Sequence, residues 1–260
     1  MSKQVKALDH GYVKFIEAYG KGEIAKMHDD EMTAAYDYEC GIIEAARMST
    51  QGAFRGWDQD EKLLGFLFNS EPQHATPFEF SGMIIEVQCP LFVRSEWHRH
   101  RTQGYNEASA RYAPLPDLNY TPTLERLMMG GGQLTKQAGT TSDAEVLTEE
   151  EARVFQAHLE HTYAQFEVNY QEALKRGVPK ELARIGMPVG RYTRFRATAN
   201  LRNWLAFTTL RDHPKAQWEI QQYASVVFDI IKQAFPRVAK LYIAKQTKQK
   251  AMQTLWDSGA

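Results

Sequence analysis

An α+β fold in which helices predominate is predicted by three observations. Several long stretches place apolar residues at helical spacing. Two shorter segments read as strands, and glycines and prolines fall at the breaks between them. In chain order, Ala34 to Met48 (AAYDYECGIIEAARM) has apolar residues on one side and predicts a helix, and Asp58 to Phe68 a second, shorter one. Ser81 to Cys89 (SGMIIEVQC) is β-branched and apolar, which predicts a strand with Pro90 ending it or sitting at its edge. Leu91 to His100 is ambiguous by pattern and fits a short helix. Gly130, Gly131 and Gly132 open a polar stretch, so residues 130–146 are expected to form a flexible loop.

Thr148 with Glu151 forms a capping box ahead of a long helix, in which Phe155, Leu159, Phe166, Tyr170 and Leu174 recur at helical spacing. Gly177 and Pro179 mark its end. A short helix is expected over Pro179 to Ile185. Arg191 to Thr198 (RYTRFRAT) alternates and predicts a strand, with Tyr192 and Phe195 on opposite faces. Two further helices fit Leu201 to Leu210 and Ala216 to Phe235. No repeat or low-complexity tract interrupts the 260 residues.

Hydrophobic residues make up 43% of the chain, enough for a sizeable core. The formal net charge of −1 gives no global basic field of the kind nucleic-acid binders show. Arginine is nevertheless concentrated in residues 94–111 and 184–211, which suits a local anionic ligand better than a long polyanion. No apolar run approaches the ~20 residues that span a bilayer, and the N-terminus lacks a signal-peptide layout. The two cysteines, Cys40 and Cys89, are too few for a disulfide framework or a structural zinc site. A cytoplasmic protein with no metal, no membrane anchor and no nucleic-acid partner is expected.

The densest polar cluster is Arg99-His100-Arg101, followed by Asn106, Glu107, Ser109 and Arg111. A charge run is usually a solvated face. This one follows an apolar strand and Pro90, which anchors it near a core, and Gly104, Asn106 and Ser109 suit a tight loop that offers backbone N–H groups to anions.

The stretch RHRTQGYNEASARY, residues 99–112, resembles the signature of the flavin-dependent thymidylate synthases: Arg-His-Arg, two free positions, Ser, four free positions, Ser, one free position, Arg. Arg99, His100, Arg101, Ser109 and Arg111 match, and Gly104 stands where the first Ser is found. Other segments are similar to family elements in the same order: AARMS at 45–49, HATPFEF at 74–80, ELARIGMP at 181–188, TANLRNWLAFTTLR at 198–211 and AQWEIQ at 216–221.

The resemblance implies a single helix-rich domain over residues 1–260, built around a mixed or antiparallel sheet. It implies FAD as cofactor, with His74, Thr76, Arg99, His100, Arg101, Glu107, Asn200 and Arg202 at the flavin. Ala206 departs where the family commonly has Asn or His. It implies dUMP at Glu96, Arg99, Glu107, Ser109, Ala110, Arg111, Arg184 and Arg211. Arg111 and Arg184 would hold the 5′-phosphate, with Ser109 and the Ala110 backbone completing the cradle. Arg211, the catalytic candidate, would bind the uracil edge and favour its N3-deprotonated form. Glu96 stands where many relatives carry Gln. Taken singly, His74 fits a loop cap, Arg184 and Arg202 fit surface ion pairs, and Arg211 fits a helix C-terminus. Trp97 and Trp204 fit core positions.

The implied reaction is reductive methylation of dUMP at C5 to dTMP, with methylenetetrahydrofolate as carbon donor and NADPH as reductant through FAD. It needs no cysteine nucleophile, in keeping with the expectation that Cys40 and Cys89 are buried. The resemblance further implies a homotetramer whose sites are shared between subunits, an arrangement that allows Arg184 and Arg111 to come from different ones. Two other readings are a dUMP hydroxymethylase on the same scaffold, motivated by Gly104, Glu96 and Ala206, and a non-catalytic nucleotide- or RNA-binding protein.

Overall fold

The computed structural model describes residues 4–20, 37–129 and 146–257. The fold is α+β and helix-rich around an antiparallel five-stranded sheet. Its strands are β1 (Gln4–Ala7), β2 (Gly11–Tyr19), β3 (Gly82–Pro90), β4 (Gly104–Glu107) and β5 (Tyr192–Asn200), in the spatial order β1-β2-β3-β5-β4. The hairpin of β1 and β2 pairs Gln4 with Lys14 and Ala7 with Gly11. The chain forms two compact units. One comprises Met1–Lys14, Glu86–Ala197 and Thr209–Ser225; the other comprises Phe15–Ile85, Thr198–Thr208 and Val226–Ala260.

In the first unit, Pro90 ends β3 and starts α3 (Leu91–Trp97), so the ambiguous segment after the strand is a short helix. The capping box of Thr148 and Glu151 opens α5 (Glu149–Lys175) as expected: Glu151 Oε2 accepts from the Thr148 N–H at 2.8 Å, and Thr148 Oγ1 from the Glu151 N–H at 3.3 Å. Gly177, at φ 82°, follows the helix in the left-handed region where an L side chain is strained. The core of this unit gathers Trp97, Phe195, Tyr192 and Tyr223, all fully buried. Trp97 meets Phe195 edge-to-face at 5.5 Å, and its Nε1–H donates to Gln103 Oε1 at 3.0 Å, which satisfies the polar end of a buried indole. Along β5, Thr193, Phe195, Ala197 and Ala199 are buried while Arg194, Arg196 and Thr198 are exposed. Tyr192 is also buried, which the alternation did not predict, because its hydroxyl donates to the Asp9 carboxylate.

In the second unit, α1 (Cys40–Arg47) is shorter than the helix expected from Ala34. Residues 34–36 lie outside the described residues, and the Glu39 N–H donates to Asp37 Oδ1 in a turn just before the helix. It is followed by α2 (Trp57–Asn69) and a 3₁₀ turn at Thr76–Glu79. Ile42, Ile43, Leu64, Phe68, Phe78, Met83 and Trp204 form its core. Trp204 Nε1–H donates to the Met83 carbonyl at 3.0 Å. Both tryptophans are therefore core residues, as their sequence context suggests.

The remaining helices are α4 (Leu124–Met128), α6 (Lys180–Ala183), α7 (Leu201–Arg211), α8 (Trp218–Ala234) and α9 (Pro236–Asp257). β1, β2, β4, α4 and α9 have no counterpart in the sequence reading. In β2 only Gly11, Val13 and Ala18 are buried, so no strict alternation marks it. Among the described side chains of α9, Val238 and Ala239 near its start are the buried apolar ones. The expected loop at 130–146 lies outside the described residues except for exposed Val146. Among the described residues no helix is long and apolar enough to cross a membrane, and no group of three His, Cys, Asp or Glu side chains is placed to hold a metal ion.

Candidate functional site

The first unit carries a cleft of about 650 Å³. Edge strand β4 delivers Glu107 to it, and the turn that follows adds Ser109 and Ala110. The short helix α6 ends at Arg184, which lines the opposite part of the lining together with Met187. Arg111 adjoins the same wall, its Nε 3.0 Å from Glu181 Oε2, and Glu181 is itself a lining residue. Both partners of that pair are more than half exposed, so the pair is weak and its guanidinium is available to a stronger anion. Arg184 has no ion pair among the described residues. Ser109 Oγ accepts from the Arg111 N–H at 3.3 Å, which fixes the turn. Ser109, Ala110, Arg111 and Arg184 thus adjoin one cleft within one chain.

Glu107 is held on one side. Its Oε1 accepts from Thr193 Oγ1–H at 2.7 Å and lies 3.3 Å from Arg94 Nε. That arginine nitrogen is buried and out of hydrogen-bonding alignment.

Arg211, at the end of α7, forms a separate cluster with Glu96 and His100; none of the three lines the cleft. Arg211 NH1 is 2.8 Å from Glu96 Oε2, its NH2 donates to the Glu96 carbonyl at 3.0 Å, and its Nε donates to His100 Nε2 at 2.9 Å. An imidazole that accepts at Nε2 must be neutral there, with its proton on Nδ1. Burial and the Arg211 charge together push the His100 pKa down to about 4, against the opposing pull of Glu96. Arg99 and Arg101 flank this histidine in sequence. Both are exposed, and neither pairs with a carboxylate among the described residues.

The second unit has a smaller depression of about 280 Å³, where His74, Thr76 and Phe80 meet Ala45, Ala46 and Ser49. Two segments singled out in the sequence, AARMS and HATPFEF, are therefore brought together. Their Arg47 is structural: it pairs with buried Asp60. Asn200 and Arg202 are not in that lining. Asn200 Oδ1 accepts from the Asn203 N–H at 3.0 Å, capping the first turn of α7, and Arg202 pairs with Glu79. Of the three departures, Gly104 opens edge strand β4, Glu96 is the partner of Arg211, and Ala206 is exposed on α7.

Both cysteines are buried. Burial raises the Cys40 thiol to about 12 and lifts Cys89, which is fully enclosed, well above the ordinary thiol range. Neither is set up as a thiolate nucleophile at neutral pH.

Arg94, Thr193 and Glu181 were not singled out from the sequence. Arg94 belongs to the arginine-rich run, but only the fold shows that it, and not the exposed Arg99, faces the cleft. Thr193 shares the buried face of β5 with Phe195, a signal that strand parity contained.

Anionic-ligand chemistry is what this arrangement suits: a cleft lined by Arg184, which has no ion pair among the described residues, with Arg111 on an exposed partner beside it and Glu107 fixed by Thr193, on a helix-rich α+β scaffold. The sequence profile described as thymidylate synthase complementing protein matches residues 31–237. A flavin-dependent thymidylate synthase from Thermosipho africanus is 33% identical over 233 residues, covering 90% of this chain and 91% of the relative. Another from Rickettsia prowazekii is 31% identical over 89% of this chain and 75% of its own length. Among solved structures, the UMP/dUMP methylase PolB from Streptomyces cacaoi bound with 5-Br dUMP has the same fold, with a TM-score of 0.73 at 24% identity over 92% of this chain and 97% of that one. The chain belongs to the thymidylate synthase complementing protein family, that of the flavin-dependent thymidylate synthases.

Proposed function

We propose that this enzyme reductively methylates dUMP at C5 to dTMP, using methylenetetrahydrofolate as carbon donor and NADPH as electron source, with FAD as the flavin. The observation that carries the nucleotide part is the cleft of the first unit. Arg184 has no ion pair among the described residues, Arg111 is paired with the exposed Glu181, and Ser109 and Ala110 line the same cleft. A phosphate monoester matches that donor set, because guanidinium forks and backbone N–H groups bind phosphate oxygens directly. Glu107 then lies beside the phosphate subsite, available to another part of the nucleotide.

Within the first unit, the residues suited to the flavin are Arg99, His100 and Arg101. Exposed guanidiniums without carboxylate partners, as at Arg99 and Arg101, fit a pyrophosphate. The flavin supplies the redox chemistry, and the protein supplies orientation and charge. Arg211 is suited to stabilise negative charge on the uracil ring, since its fork is already aligned by Glu96 and a neutral His100. With both thiols raised by burial, C6 of the pyrimidine has no protein thiolate to attack it. Assembly as a homotetramer, in the cytoplasm, completes the proposal. Exposed Val154, Phe155 and Val168 on α5 and Ile185 beyond α6 offer apolar surface for such contacts.

The test is a mass spectrum of the nucleotide after purified protein has been incubated with dUMP, methylenetetrahydrofolate, NADPH and FAD. A product heavier by one methylene unit is expected. A hydroxymethylated product, or unchanged dUMP with reducible flavin present, would overturn the proposed reaction.

A further inference from the structure

We infer that Arg94 contacts the bound nucleotide, and that Arg94 and Glu107 together read a hydroxyl of its sugar. The inference rests on the proposal that the cleft takes a nucleoside monophosphate. Arg94 sits on α3 with its side chain 30% exposed into the cleft lining. Its Nε stands beside Glu107 Oε1 without a hydrogen bond, and its two terminal nitrogens have no acceptor among the described residues. Glu107 is half committed in the same way: Thr193 donates to Oε1 at 2.7 Å, whereas Oε2 has no donor among the described residues. The wall therefore presents unused donors next to an unused anionic acceptor.

A hydroxyl uses both through a single oxygen, and the uracil edge, whose adjacent carbonyl and N–H could together do the same, is assigned to Arg211 in the proposed function. A phosphate is repelled by the Glu107 carboxylate and is better served by Arg184 and the Ser109 turn. A ring carbonyl takes a hydrogen bond from Arg94 and gives nothing to Glu107. A ring N–H does the reverse. A hydroxyl accepts from the guanidinium and donates to the carboxylate at once. Thr193 acts as a positioning residue here, since it occupies Oε1 and leaves Oε2 to the ligand.

The experiment compares binding of dUMP and of 2′,3′-dideoxyuridine 5′-monophosphate by calorimetry, on the wild-type protein and on Arg94→Met and Arg94→Lys. Wild type is expected to bind the dideoxy nucleotide roughly ten- to a hundred-fold more weakly, the scale of hydrogen bonds to charged groups. Arg94→Met is expected to lose affinity for dUMP and to discriminate less between the two nucleotides, since the hydroxyl keeps its bond to Glu107 but has lost its donor. Arg94→Lys keeps the charge but loses the planar fork whose terminal nitrogens reach the hydroxyl, so it should fall between the two and carries the test if Arg94→Met does not fold. Equal binding of both nucleotides by wild type, or undiminished discrimination in the Arg94 variants, would overturn the inference while leaving the nucleotide cleft intact. No dUMP binding by wild type would remove the nucleotide reading itself, and this one with it.

Discussion

Arg211 donates from Nε to His100 Nε2 across 2.9 Å, while Glu96 holds the other edge of the same guanidinium. The contact fixes which imidazole nitrogen carries the proton, and it opposes protonation of the ring. Burial is the larger cause of the low His100 pKa and Arg211 the next. In Arg211→Ala the burial remains, the repelling charge goes, and Glu96 is left to attract a proton. The His100 pKa should therefore rise from about 4, as read by its proton resonances during an NMR titration. An unchanged pKa would show that Arg211 does not govern this histidine. The linkage has a definite sign. A histidine pKa below its unfolded value means that the unfolded chain binds more protons, so this contribution to stability is lost as pH falls from about 6.5 toward 4.

The same substitution tests catalysis. Arg211 is proposed to stabilise charge developing on the pyrimidine, not to hold the flavin. Arg211→Ala should retain bound flavin by absorbance while its turnover drops on the order of a hundredfold, the usual scale for loss of one such donor. Turnover like that of wild type would remove Arg211 from the catalytic role.

Arg184 acts on binding in the proposed cradle. Arg184→Ala should raise the KM for dUMP roughly ten- to a hundred-fold, the scale of a charge-assisted hydrogen bond. The dependence of dUMP binding on salt should weaken at the same time. A normal KM would place the phosphate elsewhere.

Glu39 offers a pH probe far from these residues in sequence. It is fully buried, accepts from the Val238 N–H at 2.7 Å and faces Arg237, yet burial dominates and raises its pKa to about 7. The folded state then binds a proton more tightly than the unfolded one, so this group's contribution to stability is full below its unfolded pKa and is lost as pH rises through about 7. Glu39→Gln removes that dependence. Thermal unfolding should show the variant gaining on wild type between pH 5 and pH 8. A constant difference across that range would mean that Arg237 and the backbone N–H hold Glu39 ionised.

Neither thiol is exposed. The double variant Cys40→Ala, Cys89→Ala should therefore keep dTMP formation, with melting temperature lowered modestly by the small cavities left behind. Complete loss of turnover in a folded double variant would point to covalent attack by one of them.

How far the sequence reached depends on the range of the interaction. Capping is local, so Thr148 and Glu151 announced the start of α5 correctly, and Pro90 marked the end of β3. The paired sheet was less legible. β2 lacks strict alternation and β4 is only four residues long, and their pairing energy comes from strands far away in the chain. Among the described side chains of α9 the buried apolar ones, Val238 and Ala239, lie near its start, so little apolar periodicity marks the helix.

The site divides in the same way. The sequence by itself determined which side chains are present: the arginine-rich signature, Ser109, Glu107, Arg184 and Arg211, and the family to which their order belongs. Only the tertiary structure decided how each is used. It left Arg99 and Arg101 exposed, without carboxylate partners among the described residues, and gave Asn200 to a helix cap. It turned Arg211 toward His100 and brought Arg94 beside Glu107 and Thr193. The physical reason is that charge and hydrogen-bonding capacity belong to a residue type, whereas burial and partner belong to a position in the folded chain.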